Sequence, residues 1–140
     1  MKRIKYLSGL VITLLFSPVA CIQSNKKLSG GIVYLENITN RKDQQALQQV
    51  IEKGNAVVDF YADWCRPCNQ LSTIMNQVAR EFPNITFIKV NIENFPMIRS
   101  HYNVKGIPAL FYFKNGKLIN RSVGLMSKNK FADKLKFLYS

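Results

Sequence analysis

"AVVDFYADWCRPCNQ", residues 56–70, joins an apolar run to a close pair of thiols. The run from Ala56 to Tyr61 is nearly continuous, the pattern of a central strand covered on both faces, yet it contains Asp59. Cys65 and Cys68 follow at the junction between this strand and a helical segment, separated by Arg66 and Pro67. The i, i+3 spacing brings both side chains to one side of a helical turn. That separation suits a disulfide, whose Cα atoms usually stand about 4.4–6.8 Å apart. Pro67 fits the first turn of a helix, where no backbone donor is missed. The unpaired N–H groups and positive dipole end of that turn, with Arg66 alongside, would stabilise a thiolate on Cys65. A lowered thiol pKa, access and a resolving partner three residues away are what thiol–disulfide exchange requires. A purely structural disulfide is the alternative, although closing so short a loop removes little chain entropy. A zinc site would need more than one CxxC and the single His101. Covalent haem attachment needs a histidine where Asn69 stands.

Working outward, 140 residues with 47% hydrophobic content support one core rather than two domains. Residues 1–20 carry Lys2, Arg3 and Lys5, an apolar stretch from Leu7 to Phe16, and then Ser17-Pro18-Val19-Ala20, the order of a secretory signal. That stretch is about half the roughly 20 apolar residues a membrane-spanning helix needs. Pro18-Val19-Ala20-Cys21 resembles a bacterial lipoprotein box, with Pro18 at a position usually aliphatic, which makes Cys21 a candidate for lipidation. Ordinary cleavage after Ala20 would leave Cys21 as an unpaired thiol in an oxidising compartment. Residues 21–30, including "SNKKLSGG", read as a tether, and residues 31–140 as the folded domain.

The formal net charge is +12, or +9 once Lys2, Arg3 and Lys5 leave with the signal. The basic residues are scattered from Lys26 to Lys136 without a dense run or a nucleic-acid motif, so nucleic acid is not an expected partner. A basic surface favours acidic protein partners or anionic lipid headgroups.

Along the domain, "GIVYLEN" is a short β-like run. In "DQQALQQVIEK", Ala46, Leu47, Val50 and Ile51 recur at helical intervals, and Gly54-Asn55 ends the pattern. After the cysteines, Leu71, Ile74, Met75 and Val78 mark a helical face, stopped by Pro83-Asn84. "ITFIKVNIE" is a strand and "FPMIRSHYNV" a short helix or irregular turn. "ALFYFKNGKLINRSVG" holds two β-rich runs joined by Asn115-Gly116, the favoured dipeptide of a two-residue hairpin. "SKNKFADKLKFLYS" spaces Phe131, Leu135 and Leu138 for a final helix, with Ser127 as N-cap. The order β-α-β-α-β-α-β-β-α implies an α/β domain with a mixed central sheet and helices on both faces.

"VVDFYADWCRPC" closely resembles the active-site segment of thioredoxins, commonly VDFWAxWCGPC. The likeness extends over residues 31–139 through "KVNIEN", "VKGIPALFYFKNGK" and "VGLMSKNKFADKL", in matching order. It implies the thioredoxin fold and assigns roles by position. Cys65 would be the exposed attacking cysteine and Cys68 the resolving one. Asp59 would be the buried acid that moves the proton as Cys68 becomes a thiolate, consistent with the raised pKa of a desolvated carboxyl. Lys89 matches a lysine near that acid, although alone it would read as an outward strand residue. Trp64 matches the tryptophan flanking the site, where bulk alone would suggest core packing. Ile107 and Pro108 match the segment whose cis-proline faces the cysteines and whose backbone receives a substrate strand. Gly124 matches a glycine bordering that groove. His101, outside every matched segment, reads as a residue without catalytic duty, and Phe111, Tyr112 and Phe113 read as sheet core.

Four departures qualify the likeness. Arg66 replaces glycine, and a cation there favours the thiolate and makes the disulfide more oxidising. Retained Pro67 and Ile107 point back towards a reductant. Tyr61 stands where tryptophan is common. Thr73 stands where a proline often kinks the helix. The basic mature chain also differs from many acidic cytosolic members, which bears on recognition by the cytosolic thioredoxin reductase. The expected activity is that of an exported thiol–disulfide oxidoreductase, a protein-disulfide reductase acting as a monomer on protein thiols and disulfides. It would work in the bacterial periplasm, soluble or tethered to the membrane through Cys21. It would need no metal and no cofactor beyond the Cys65–Cys68 pair, and a membrane protein would supply its electrons. In similar exported proteins such electrons serve cytochrome c maturation or the rescue of wrongly oxidised cysteines. The competing expectations are a dithiol oxidase or isomerase, and a non-catalytic peptide-binding module using the groove around Cys65 and Pro108.

Overall fold

A computed structural model describes residues 27–28, 32–35 and 41–140, with side chains from residue 44 onward. The expected signal and Cys21 lie outside the described residues, as does most of the expected tether. Within the tether, Lys27–Leu28 forms a two-residue strand, β1, paired antiparallel with β2 (Ile32–Leu35). The chain continues through α1 (Arg41–Ile51), β3 (Asn55–Tyr61), α2 (Arg66–Glu81), β4 (Ile85–Asn91) and α3 (Pro96–His101). It ends with β5 (Ala109–Lys114), β6 (Lys117–Val123) and α4 (Lys128–Tyr139). The six strands lie in the order β1-β2-β4-β3-β5-β6. β2 and β3 both run parallel to β4, whereas β5 is antiparallel to β3 and to β6. The sheet is therefore mixed, and its parallel pairs are joined through crossover helices.

Strand alternation sends two cores to opposite faces. Ala56, Val58 and Phe60 of β3 pack with Ile88, Val90, Phe111 and Phe113, beneath Leu47 and Ile51 of α1 and Ile98 of α3. Val57, from the same strand, joins Phe87, Leu110 and Tyr112 beneath Leu71, Met75 and Val78 of α2 and Phe131 and Leu135 of α4. Phe111, Tyr112 and Phe113 are thus sheet core on both faces. On the first face Phe60 meets Phe111 edge-on at 4.9 Å between centroids, and Tyr102 lies 5.8 Å from Phe60.

Local signals account for the ends of these elements. Asn115 and Gly116 both take positive φ, 50° and 81°, which a tight hairpin turn of this hand needs. A Cβ on Gly116 would stand 3.1 Å from Cγ of Glu52, so this turn favours glycine for space as well as conformation. The hairpin register shifts between Tyr112 and Phe113, so that Tyr112 faces Asn120 while Phe113 faces Leu118. This irregularity leaves Ile119 as an extra residue on β6. The Ser127 hydroxyl accepts from the Lys130 N–H, capping α4. "FPMIRSHYNV" resolves into the one-and-a-half-turn helix α3, begun by Pro96.

Candidate active site

The carboxyl end of β3 and the first turn of α2 hold the two cysteines. Cys65 is the N-cap of α2: its backbone is extended, and its Sγ accepts the Cys68 N–H at 3.3 Å. Its carbonyl accepts from the Cys68 and Asn69 N–H groups. The chain turns into helix at once because Pro67 needs no donor there. The pair forms a disulfide with Cα atoms 5.2 Å apart, within the range for an unforced bridge. Cys65 retains 4% exposure and Cys68 none. The order of access is the one the resemblance implied, but Cys65 is far less open than an exposed nucleophile in this oxidised state. Arg66 and Pro67 are both exposed. α2 runs unbroken past Thr73, whose hydroxyl donates to the Asn69 carbonyl one turn earlier.

Asp59 is fully buried and, by its parity with Val57, faces the α2 side of the sheet. Lys89 stands directly across in the β3–β4 register and is 5% exposed. Its Nζ lies 3.8 Å from Asp59 Oδ2, an ion-pair distance too long for a hydrogen bond. The ammonium instead donates to Ser72 Oγ at 2.6 Å and sits 4.2 Å from the Tyr61 ring centroid. Ser72 is one helical turn beyond Cys68, so the charged pair reaches the helix that carries the thiols. Burial pushes the Asp59 carboxyl up to about 6, against the opposing pull of Lys89. Burial also holds Lys89 below the usual ammonium range, countered by Asp59 and then Asp63. A carboxyl poised near neutrality under the helix that carries the cysteines is suited to receive and return a proton.

The rim is built from the ends of β3, β5 and β6. Ile107–Pro108 is a cis peptide leading into β5, whose first residue, Ala109, pairs with Phe60 near the end of β3. This register brings Ile107 and Pro108 to the end of the sheet that carries the cysteines. Ile107 packs against the core cluster containing Cys65 and Cys68. Gly124, with φ +93°, donates its N–H to the Pro108 carbonyl at 2.8 Å. Trp64, Val123 and Leu125 are large apolar side chains exposed by 71%, 70% and 47%, the first next to Cys65 in the chain and the others flanking Gly124. Trp64 is therefore surface rather than core.

Its orientation comes from residues the sequence did not single out. The Trp64 indole N–H donates to Glu93 at 3.0 Å, and the Glu93 N–H donates to the Asn91 side chain. Asn91 in turn donates to Asp63. These partners stand 28 and 29 residues from the loop they brace, so no local pattern announces them. Ser72 was equally silent. His101 is exposed and stacks edge-on against Tyr102, 4.8 Å between centroids, outside this constellation. Among the described residues no three His, Cys, Asp or Glu side chains converge to hold a metal ion.

Comparison with known proteins places relatives beside this geometry. The thioredoxin family model matches residues 36–137. A thioredoxin of Chlamydia trachomatis is 40% identical over 86 residues, covering 61% of this chain and 84% of its own length. A thioredoxin of Mycoplasmoides gallisepticum is 35% identical over 102 residues, covering 73% of this chain and all of its own. Among solved structures, the oxidised form of mitochondrial thioredoxin 3 from Saccharomyces cerevisiae superposes with a TM-score of 0.66 at 25% identity, over 78% of this chain and 99% of that one. A mutant thioredoxin from Halobacterium salinarum gives 0.68, also at 25% identity, over 77% and 90% of the two chains.

Proposed function

This chain belongs to the thioredoxin family and is a protein-disulfide oxidoreductase, and we propose that it acts as a reductant of protein disulfides outside the cytoplasm. The observation that supports thiol–disulfide exchange is the Cys65–Cys68 disulfide on the first turn of α2, with the buried Asp59–Lys89 pair reaching the same helix. The family's chemistry needs no cofactor beyond that disulfide.

In the reduced chain the helix N-terminus and Arg66 favour the Cys65 thiolate. Its Sγ attacks one sulfur of the client disulfide. The client S–S bond breaks, a Cys65–client bond forms, and the other client sulfur leaves as a thiolate that takes a proton. Cys68 gives its proton to the Asp59 carboxylate and attacks Sγ of Cys65. The mixed disulfide breaks, the second client thiolate is released and protonated, and the Cys65–Cys68 bond forms. The client gains two electrons and two protons, and the chain is left oxidised. Asp59 returns its proton to solvent, and a membrane dithiol donor re-reduces the pair.

Lys89 holds a positive charge beside Asp59 and limits how far burial raises its pKa. Pro67 starts the helix, and Trp64, Ile107, Pro108 and Gly124 frame the surface on which a client strand lies. Retained Pro67 and Ile107 favour reduction, whereas Arg66 pulls towards oxidation. The basic–apolar–small order of residues 1–20 supports export, and Cys21 is the residue that would carry a lipid.

Equilibration of the Cys65/Cys68 pair against glutathione tests the direction. A reduction potential near about −270 mV is expected, and one near about −120 mV would make the protein an oxidase. Mass spectrometry of the mature N-terminus tests lipidation, with a diacylglyceryl adduct on Cys21 as the outcome a tethered protein requires.

A further inference from the structure

A groove of about 510 Å³ opens along the β6 edge of the sheet, next to the Ile107–Pro108 bond. Its apolar lining includes Val104, Ala109, Phe111 and Val123, and its charged lining is Lys105 and Arg121. Both cationic residues are exposed. The Arg121 guanidinium carbon lies 4.7 Å from the Phe111 ring centroid, so the ring covers one face of the fork while its N–H edge stays available.

The acids with described side chains are engaged elsewhere. Asp59 faces Lys89, Glu81 pairs with Lys128, and Asp133 with Lys136. Glu93 and Asp63 hold Trp64 and Asn91, and Glu52 accepts from Gln48. Among the described residues no acidic side chain lines the groove. Asp63 and Glu93 lie by the end of β4, whereas Lys105 and Arg121 line the groove towards β6.

We propose that this groove receives an acidic side chain of the client polypeptide, so that the protein selects disulfides whose cysteine is flanked by Asp or Glu. The proposal rests on the reductase reading, because the groove adjoins the strand-receiving residue Ile107. A guanidinium edge offers a carboxylate two parallel hydrogen bonds, and Lys105 adds a second charge. Steering by such a pair is expected to act mainly on association rate and to weaken with salt.

The test compares two peptides with the same intramolecular disulfide, one bearing Glu on each side of a cysteine and the other Gln. At low salt the unmodified protein should reduce the Glu peptide about fivefold faster or more in kcat/KM. In Lys105→Gln/Arg121→Gln this ratio should fall to about one, with Lys105→Gln alone intermediate and Arg121→Lys, which keeps the charge but loses the two parallel hydrogen bonds, also intermediate. Lys114→Gln/Lys117→Gln removes the same charge at the far end of the hairpin and should leave the ratio unchanged. Equal rates with the two peptides, or equal loss of preference in the hairpin variant, would overturn the proposal. Hydroxyethyl disulfide, which carries no flanking residue, separates the readings. If the unmodified protein reduces it but shows no Glu preference, the groove assignment alone fails; if it reduces neither, the reductase reading fails too.

Discussion

Phe60 and Asp59 are consecutive residues of β3, both fully buried, and they face opposite sides of the sheet. Phe60 lies among Phe111, Tyr102 and other apolar side chains beneath α1 and α3. Asp59 lies beneath α2, where its partner Lys89 is held by Ser72 and Tyr61. One side of the strand gains from excluding water, while the other bears the cost of desolvating a charge. The same sheet thus uses one face chiefly for stability and places on the other a group whose burial brings its titration near neutrality.

The largest expected effect removes the chemistry itself. Cys65→Ser should abolish turnover. Cys68→Ala should accumulate client mixed disulfides, visible as reductant-sensitive adducts on non-reducing gels; a Cys68→Ala protein that turns over normally, without adducts, would break the mechanism. Asp59→Asn should slow the resolving step at neutral pH by about 10²-fold, the lower end for a positioned base, because water can still accept the proton. Phe60→Ala should cost about 3–5 kcal/mol by denaturant unfolding and leave the pH dependence of the rate unaltered. If Phe60→Ala shifts that pH dependence, the two faces are not independent.

The stability profile sharpens the contrast. The folded-state pKa of Asp59, about 6, lies above its ordinary 3.8, so the folded chain binds the proton more tightly than the unfolded chain. The associated stability is fully present below about pH 4 and is lost as pH rises through about 6. At about 1.4 kcal/mol for each tenfold change, the protein should lose about 3 kcal/mol relative to Asp59→Asn between about pH 3 and pH 8. Parallel profiles for the two proteins would remove the physical basis of the comparison. The smallest effect belongs to Ser72→Ala. Without its acceptor, Lys89 should close on Asp59 and lower the carboxyl pKa, read by NMR titration, while Ser72→Thr should keep it near the original value.

Much of this was legible because the signals are local. The nearly continuous apolar run of β3, the Asn115-Gly116 turn, the Ser127 cap and the Pro67 helix start each specify backbone within a few residues. The cysteine pair belongs to the same class, since i, i+3 spacing fixes its geometry almost alone. The Trp64–Glu93 and Asp63–Asn91 contacts were not legible, because they form between segments that meet only after β3 and β4 pair. Ser72 looked like an ordinary polar helix residue until the fold brought Lys89 to it. Trp64 misleads for the opposite reason, since its indole N–H and apolar body are used at the surface. Thr73 does not break α2, because unlike proline it keeps its backbone N–H and adds no ring against the preceding turn.

The central claim is that Asp59 takes the proton from Cys68. The rate of mixed-disulfide resolution, followed against pH in the unmodified protein and in Asp59→Asn, tests it most directly. The rate should rise through about pH 6 as Asp59 ionises, and this rise should disappear in Asp59→Asn. An Asp59→Asn profile that keeps the same rise would contradict it.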